Sequence, residues 1–143
     1  MLPMNQIFWA RAHGGATHFP IALLMVSVVF DVAGFWWRDE ARRREFTSVG
    51  FYSLVIAAAA APVAVVSGTA LSKGILLGTG LLALHHYFIW PAFGLLIGLA
   101  VWRLVVRERA SRRARGCYLA LASLTLAAMM TAGYWGGEMI LGK

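Results

Sequence analysis

Charge is spread so unevenly along this chain that the gaps between charges decide what it can fold into. Residues 12–30, 46–72, 74–102 and 116–137 contain no Asp, Glu, Lys or Arg, while most arginines gather into two short blocks around residues 38–45 and 103–115. About 20 helical residues cross a hydrocarbon core of roughly 30 Å, so each gap is about long enough to span a bilayer. In lipid, only helices and closed barrels satisfy every backbone N–H and C=O, and the period-2 alternation of a barrel strand is absent. The fold class expected is therefore all-α, an integral membrane four-helix bundle. The composition agrees: 60% of residues are hydrophobic and only 13% are charged, against roughly 25% charged in a soluble domain.

The first 16 residues, with Phe8, Trp9 and Arg11, read as an interfacial segment lying on the membrane surface and broken by Gly14 and Gly15. One transmembrane domain follows over residues 17–143. Thr17 is placed to cap its first helix, and Pro20 falls in the first turn, where a missing N–H costs little. The spans expected are residues 17–37, 47–70, 81–106 and 116–141. Pro62 should kink the second span, and its run Ala57–Ala61 suits close helix contact. The link from Leu71 to Gly80 is weakly polar and is expected to dip into the interface. Cys117 is the only cysteine, which excludes an internal disulfide and covalent haem attachment through a Cys-x-x-Cys-His run. No apolar core of signal-peptide length precedes the first span.

The net charge of +7 could suggest nucleic acid, but no soluble domain remains to bind it. Membrane orientation explains the charge better. Ten of the thirteen basic residues fall in the first and third loops, whereas Arg11, Lys73 and Lys143 are the only ones at the opposite end. Positive loops stay inside, so both termini are expected on the outer, periplasmic side.

All four histidines, His13, His18, His85 and His86, then lie toward the outer face. His18 is 20 residues before Arg38, and His85 is 18 before Arg103. At 1.5 Å per helical residue, both lie roughly 27 to 30 Å above the basic rim. Helices one and three therefore present imidazoles at matched depth, as a bis-histidine haem b requires of two facing helices. Three or four imidazoles could instead gather around copper or zinc, and interfacial histidines also simply hydrogen-bond water and headgroups. Consecutive helical residues diverge by about 100°, so one haem would take either His85 or His86. The spacing from Gly94 and Gly98 back through Trp90 favours His86, and the depth match favours His85. The leftover histidine and His13 could serve a second haem, contact a propionate or have no role.

Two acids are candidates beside these. Glu138 follows Gly133-Tyr134-Trp135-Gly136-Gly137 at the outer end of helix four, where it could orient an imidazole through its distal N–H or sit exposed at a frayed end. Asp31 lies within helix one about two turns above the basic rim. An ionisable group at that depth is a functional candidate, and pairing with a snorkelling Arg103 or another rim arginine accounts for it structurally. No Ser-His-Asp set, phosphate loop or paired-carboxylate motif is present.

These residues also carry a resemblance. His18-Phe19-Pro20-Ile21-Ala22-Leu23-Leu24, with Phe30-Asp31 a few residues on, resembles the opening of a bacterial membrane family catalogued as domain of unknown function 2231. A histidine opening helix three and a Gly-Tyr-x-Gly-Gly-Glu-like ending match His85-His86 and Gly133 to Glu138. The similarity covers nearly the whole chain. It implies four helices in a bacterial inner (plasma) membrane and an association with haem or with redox proteins.

The expected function is that of a small b-type cytochrome, with one haem, or two, held near the outer surface by His18 and His85 or His86. It would pass electrons between a quinone or a membrane redox complex and a periplasmic partner, as an oligomer or a subunit more than as an enzyme by itself. One rival is a haem-free structural or assembly subunit of a larger membrane complex. The other is a small transporter or metal-handling protein with Asp31 and the histidines along a polar path.

Overall fold

The computed structural model describes residues 3–142 and, within them, every side chain but those of Glu108 and Leu141. Lys143, counted above among the outer basic residues, lies outside them. Four helices follow one another: α1 Met4–Trp36, α2 Glu40–Leu71, α3 Leu81–Val106 and α4 Arg112–Leu141, with a single 3₁₀ turn at Arg107–Arg109 before α4. Each of the four is long and apolar enough to cross a membrane.

The main departure from expectation is at the start. α1 begins at Met4 and passes through Gly14 and Gly15 without a break. Two glycines cost a helix about 1 kcal/mol each, but breaking it in lipid would strand backbone groups at several kcal/mol apiece. Thr17 is consequently inside the helix and caps nothing; its hydroxyl donates to the Gly14 carbonyl at 3.0 Å. At the basic end the caps are conventional. Asp39 accepts from the Arg42 amide at 3.0 Å and Ser111 from the Ala114 amide at 3.2 Å, each opening the helix that follows. These caps start α2 and α4 several residues earlier than the uncharged gaps alone indicate.

α1 and α2 form one tight antiparallel hairpin and α3 and α4 a second. The two hairpins touch more loosely along α1–α4 and α2–α3, whereas the backbones of α1 and α3 stand diagonally opposite, nowhere within 8 Å of each other. Small residues close the first hairpin: Ala57, Ala58 and Ala61 of α2 are buried, and a side chain at Gly50 would collide with Asp31 of α1. The core continues through Leu24, Leu54, Ala92, Leu96 and Ala122.

The distribution of polarity is that of a membrane protein. Asp31, Ser53, Ser67, His86, Arg103 and Thr125 are buried, while Val29, Val63, Val66, Val101, Val105 and Leu124 face outward. Polar side chains in a bilayer turn to the bundle interior, and apolar ones meet lipid at no cost.

Candidate functional site

Polar side chains collect at two levels of the bundle, one at each end. At the basic end, Asp31 of α1 meets Arg103 of α3 in a two-pronged ion pair: Nη1 faces Oδ2, and Nη2 donates to Oδ1 at 2.9 Å. Of the rim arginines expected as partners for Asp31, Arg103 is the one that pairs with it. The same Nη2 donates to the Thr47 carbonyl of α2 at 2.9 Å, and the Tyr118 hydroxyl of α4 donates to Asp31 Oδ2 at 2.8 Å. Ser27, one turn before Asp31, donates to the Gly50 carbonyl at 2.8 Å. The Arg103 guanidinium also lies over the Tyr118 ring, 4.9 Å from its centroid. All four helices therefore meet at one carboxylate. A buried ion pair is tolerable only when its remaining donors and acceptors are met, and here they are.

The histidine end is organised differently. His13 of α1 and His85 of α3 come within 6.3 Å between ring centroids, and His86 lies 5.6 Å from His85. The Nδ1 of His13 is 2.9 Å from the Ala64 carbonyl of α2, with Ser67 Oγ at 3.3 Å. The Nδ1 of His85 is 2.8 Å from the Ala132 carbonyl of α4. A carbonyl only accepts, so in both rings Nδ1 carries the proton and Nε2 of the neutral imidazole keeps its lone pair. Gly68 and Gly136 make room for the rings: a Cβ at Gly68 would lie 2.8 Å from His13, and one at Gly136 would lie 3.5 Å from His85. Two buried donors or acceptors, His86 Nδ1 and Trp135 Nε1, have no partner among the described residues.

His18 is not part of this cluster. It sits exposed on α1, five residues and therefore about 140° around the helix from His13. The depth argument paired it with helix three because α1 was taken to start after residue 16. The buried stripe of α1 includes Pro20 and Ser27, and one further step of seven back reaches His13; that spacing was the available signal. Glu138 is half-buried near the end of α4, and no hydrogen bond joins it to a histidine among the described residues. Gly94 and Gly98, used to choose His86, are exposed and border an apolar groove between α3 and α4. His86 is nevertheless buried, beside Trp90. The carbonyl partners on α2 and α4 carry no sequence mark at all.

The link 72–80 covers the histidine end. Lys73, Gly74, Gly78 and Gly80 take positive φ angles of 54°, 79°, 66° and 59°, and Trp90 Nε1 of α3 donates to the Leu76 carbonyl at 2.7 Å. Ile75, Leu76 and Leu77 are left exposed, where an interfacial loop would place them.

A family model described as "Predicted membrane protein (DUF2231)" matches residues 12–142. The chain belongs to that family. No curated protein matches the chain, and no solved structure does. In this DUF2231 chain the matched stretch takes in all four histidines, Asp31 and Arg103, and leaves out the first turns of α1.

Proposed function

We propose that this protein is a membrane haem protein whose iron would be held by His13 and His85, with the histidine end on the outer side of the membrane. The observation that carries the reading is the pair of imidazoles itself. They come from diagonally opposed helices, each with Nδ1–H spent on a main-chain carbonyl and Nε2 without a hydrogen bond among the described residues. Two imidazoles bonded head-on to one metal at about 2 Å hold their centroids roughly 6 Å apart, and these stand 6.3 Å apart. Among the described residues no group of three His, Cys, Asp or Glu side chains converges on a point. Haem iron needs only two protein ligands, whereas a zinc or copper site takes three or four.

When bound, the haem would supply one-electron chemistry. The chain's own part is positioning and shielding. The Ala64 and Ala132 carbonyls fix ring orientation and raise imidazole basicity, as outer partners of metal-bound histidines do. Trp90 and the link 72–80 restrict water at this end. His86 and Trp135 offer two further polar atoms to the polar edge of the group. The basic end faces the cytoplasm by the positive-inside rule. Electron exchange with a quinone or a neighbouring redox protein would then take place at the outer surface.

The test is a reduced-minus-oxidised absorption spectrum with pyridine haemochrome quantification on protein produced with ample haem. A b-type signal lost in His13→Ala and in His85→Ala, but kept in His18→Ala, is the expected result. A colourless protein would overturn the reading and leave a structural or assembly subunit first. Stoichiometric copper or zinc without a porphyrin spectrum would move it to metal handling.

A further inference from the structure

The basic end holds a cavity that the histidine reading does not use. It is open on one side, holds about 270 Å³ and is lined by Arg43 of α2, Arg103 of α3, Arg107 of the 3₁₀ turn, and Arg112 and Arg115 of α4, with Asp31 the acid of the lining among the described residues. Rim arginines that only orient a helix bundle splay toward headgroups and water. Arg38, Arg42, Arg44, Arg109 and Arg113 stay off the cavity in that way, and the other five converge on it from four elements.

Arg43 is held by Glu40 at 3.6 Å and Arg103 by Asp31, so the charge that the cavity offers a ligand rests on Arg107 and Arg112. The carboxylate is also unavailable, because Arg103 and Tyr118 already occupy it. Arg112 lies over the Phe35 ring, 5.0 Å from its centroid, a contact that fixes the guanidinium at the wall without neutralising it. Trp102 and Tyr118, stacked at 5.4 Å and 15°, form a flat side to the same space. α4 begins at the cavity edge, so its positive helix end adds to the field.

We infer that this cavity binds a phosphate-bearing anion. Guanidinium groups present paired N–H donors that match phosphate oxygens, and basic pockets between membrane helices take anionic lipid headgroups. The same chemistry would hold a soluble phosphate compound entering from the aqueous side. This inference is independent of haem binding at the other end.

Purified, delipidated protein in neutral detergent is titrated with phosphatidylglycerol and with phosphatidylcholine, read by native mass spectrometry, and separately with sodium phosphate against sodium chloride at equal ionic strength, read by thermal shift. The test variant is Arg107→Gln/Arg112→Gln. The control is Arg109→Gln/Arg113→Gln, which removes two exposed charges from the same loop but off the cavity. Both are checked first for unchanged elution as a single species. Phosphatidylglycerol should bind in preference to phosphatidylcholine, and the test variant should weaken it by roughly 30-fold, at about fivefold per charge. The control should weaken it less than about threefold. Competition by millimolar phosphate, with a phosphate-specific thermal shift, assigns the site to soluble phosphates. Binding indifferent to phosphate assigns it to a lipid headgroup. Equal losses in test and control variants, or no preference for either anion over its comparison, would overturn the inference.

Discussion

The two ends of the bundle bury polar groups in opposite ways. At the basic end Arg103 and Tyr118 both donate to Asp31, Arg103 also donates to the Thr47 carbonyl, and Ser27, one turn from Asp31, donates to the Gly50 carbonyl, so the network joins all four helices. At the histidine end the hydrogen bonds of His13 and His85 go to main-chain carbonyls, and among the described residues their Nε2 atoms, His86 Nδ1 and Trp135 Nε1 have no hydrogen-bond partner. A closed network holds helices together and has little of its own left for a ligand; the anion cavity beside it draws on Arg107 and Arg112 instead. An open network contributes little to folding and keeps its binding atoms ready. The contrast separates a structural pin from a proposed site, although both are built from titratable side chains, Asp31 and Arg103 buried and His13 and His85 half-buried.

The largest expected effect tests the pin. Asp31→Ala leaves Arg103 buried without its counter-charge, and breaking such a pair costs about 3–5 kcal/mol. Thermal unfolding in detergent should show it, and an Asp31→Leu/Arg103→Met double variant should recover most of the loss. If Asp31→Ala were as stable as wild type, the ion pair would not be what joins the hairpins. A sharper comparison deletes one polar tip at each end. Tyr118→Phe removes a hydrogen bond to a charged group, worth about 1.5–3 kcal/mol, whereas Trp135→Phe removes an unmatched N–H and should be neutral or slightly stabilising. Equal losses from the two would erase the distinction between ends.

The smallest effects come from glycines at the histidine end. Gly136→Ala meets His85 at ordinary contact distance, 3.5 Å, while Gly68→Ala would press a Cβ to 2.8 Å from the His13 ring. Ala gains roughly 0.5–1 kcal/mol over Gly in a helix. Gly136→Ala should therefore be mildly stabilising, and Gly68→Ala should lose that gain to the displaced ring. A haem spectrum perturbed by Gly68→Ala and not by Gly136→Ala would place the sensitive ligand on α1.

What the sequence disclosed follows from the scale of the forces involved. Four spans and two arginine-rich loops were legible because hydrophobic transfer acts over twenty residues at a time. A rim-arginine partner for Asp31 was legible because counting residues from the basic rim gives its depth directly, but which arginine was not. The ligand proposed on helix one, His13, was not legible either. Gly14 and Gly15 look like a break by local propensity, and only the cost of unpaired backbone in lipid carries the helix on to Met4 and turns His13 inward. Ala64 and Ala132 were invisible for another reason: any residue supplies a carbonyl, so the groups that orient the rings leave no trace in side-chain identity.

The Asp31–Arg103 pair also sets an order of events during synthesis. The two residues are 72 positions apart, so a ribosome delivers the acid to the membrane well before the base exists. A lone charge at depth in a helix raises insertion cost by about 2.5–3.5 kcal/mol, and the nascent first hairpin must bear it with only Ser27 beside the carboxylate. Completion of α3 cancels the debt, and α4 adds Tyr118 last. A chain stalled after its first two helices thus carries a carboxylate within the membrane with no counter-charge of its own.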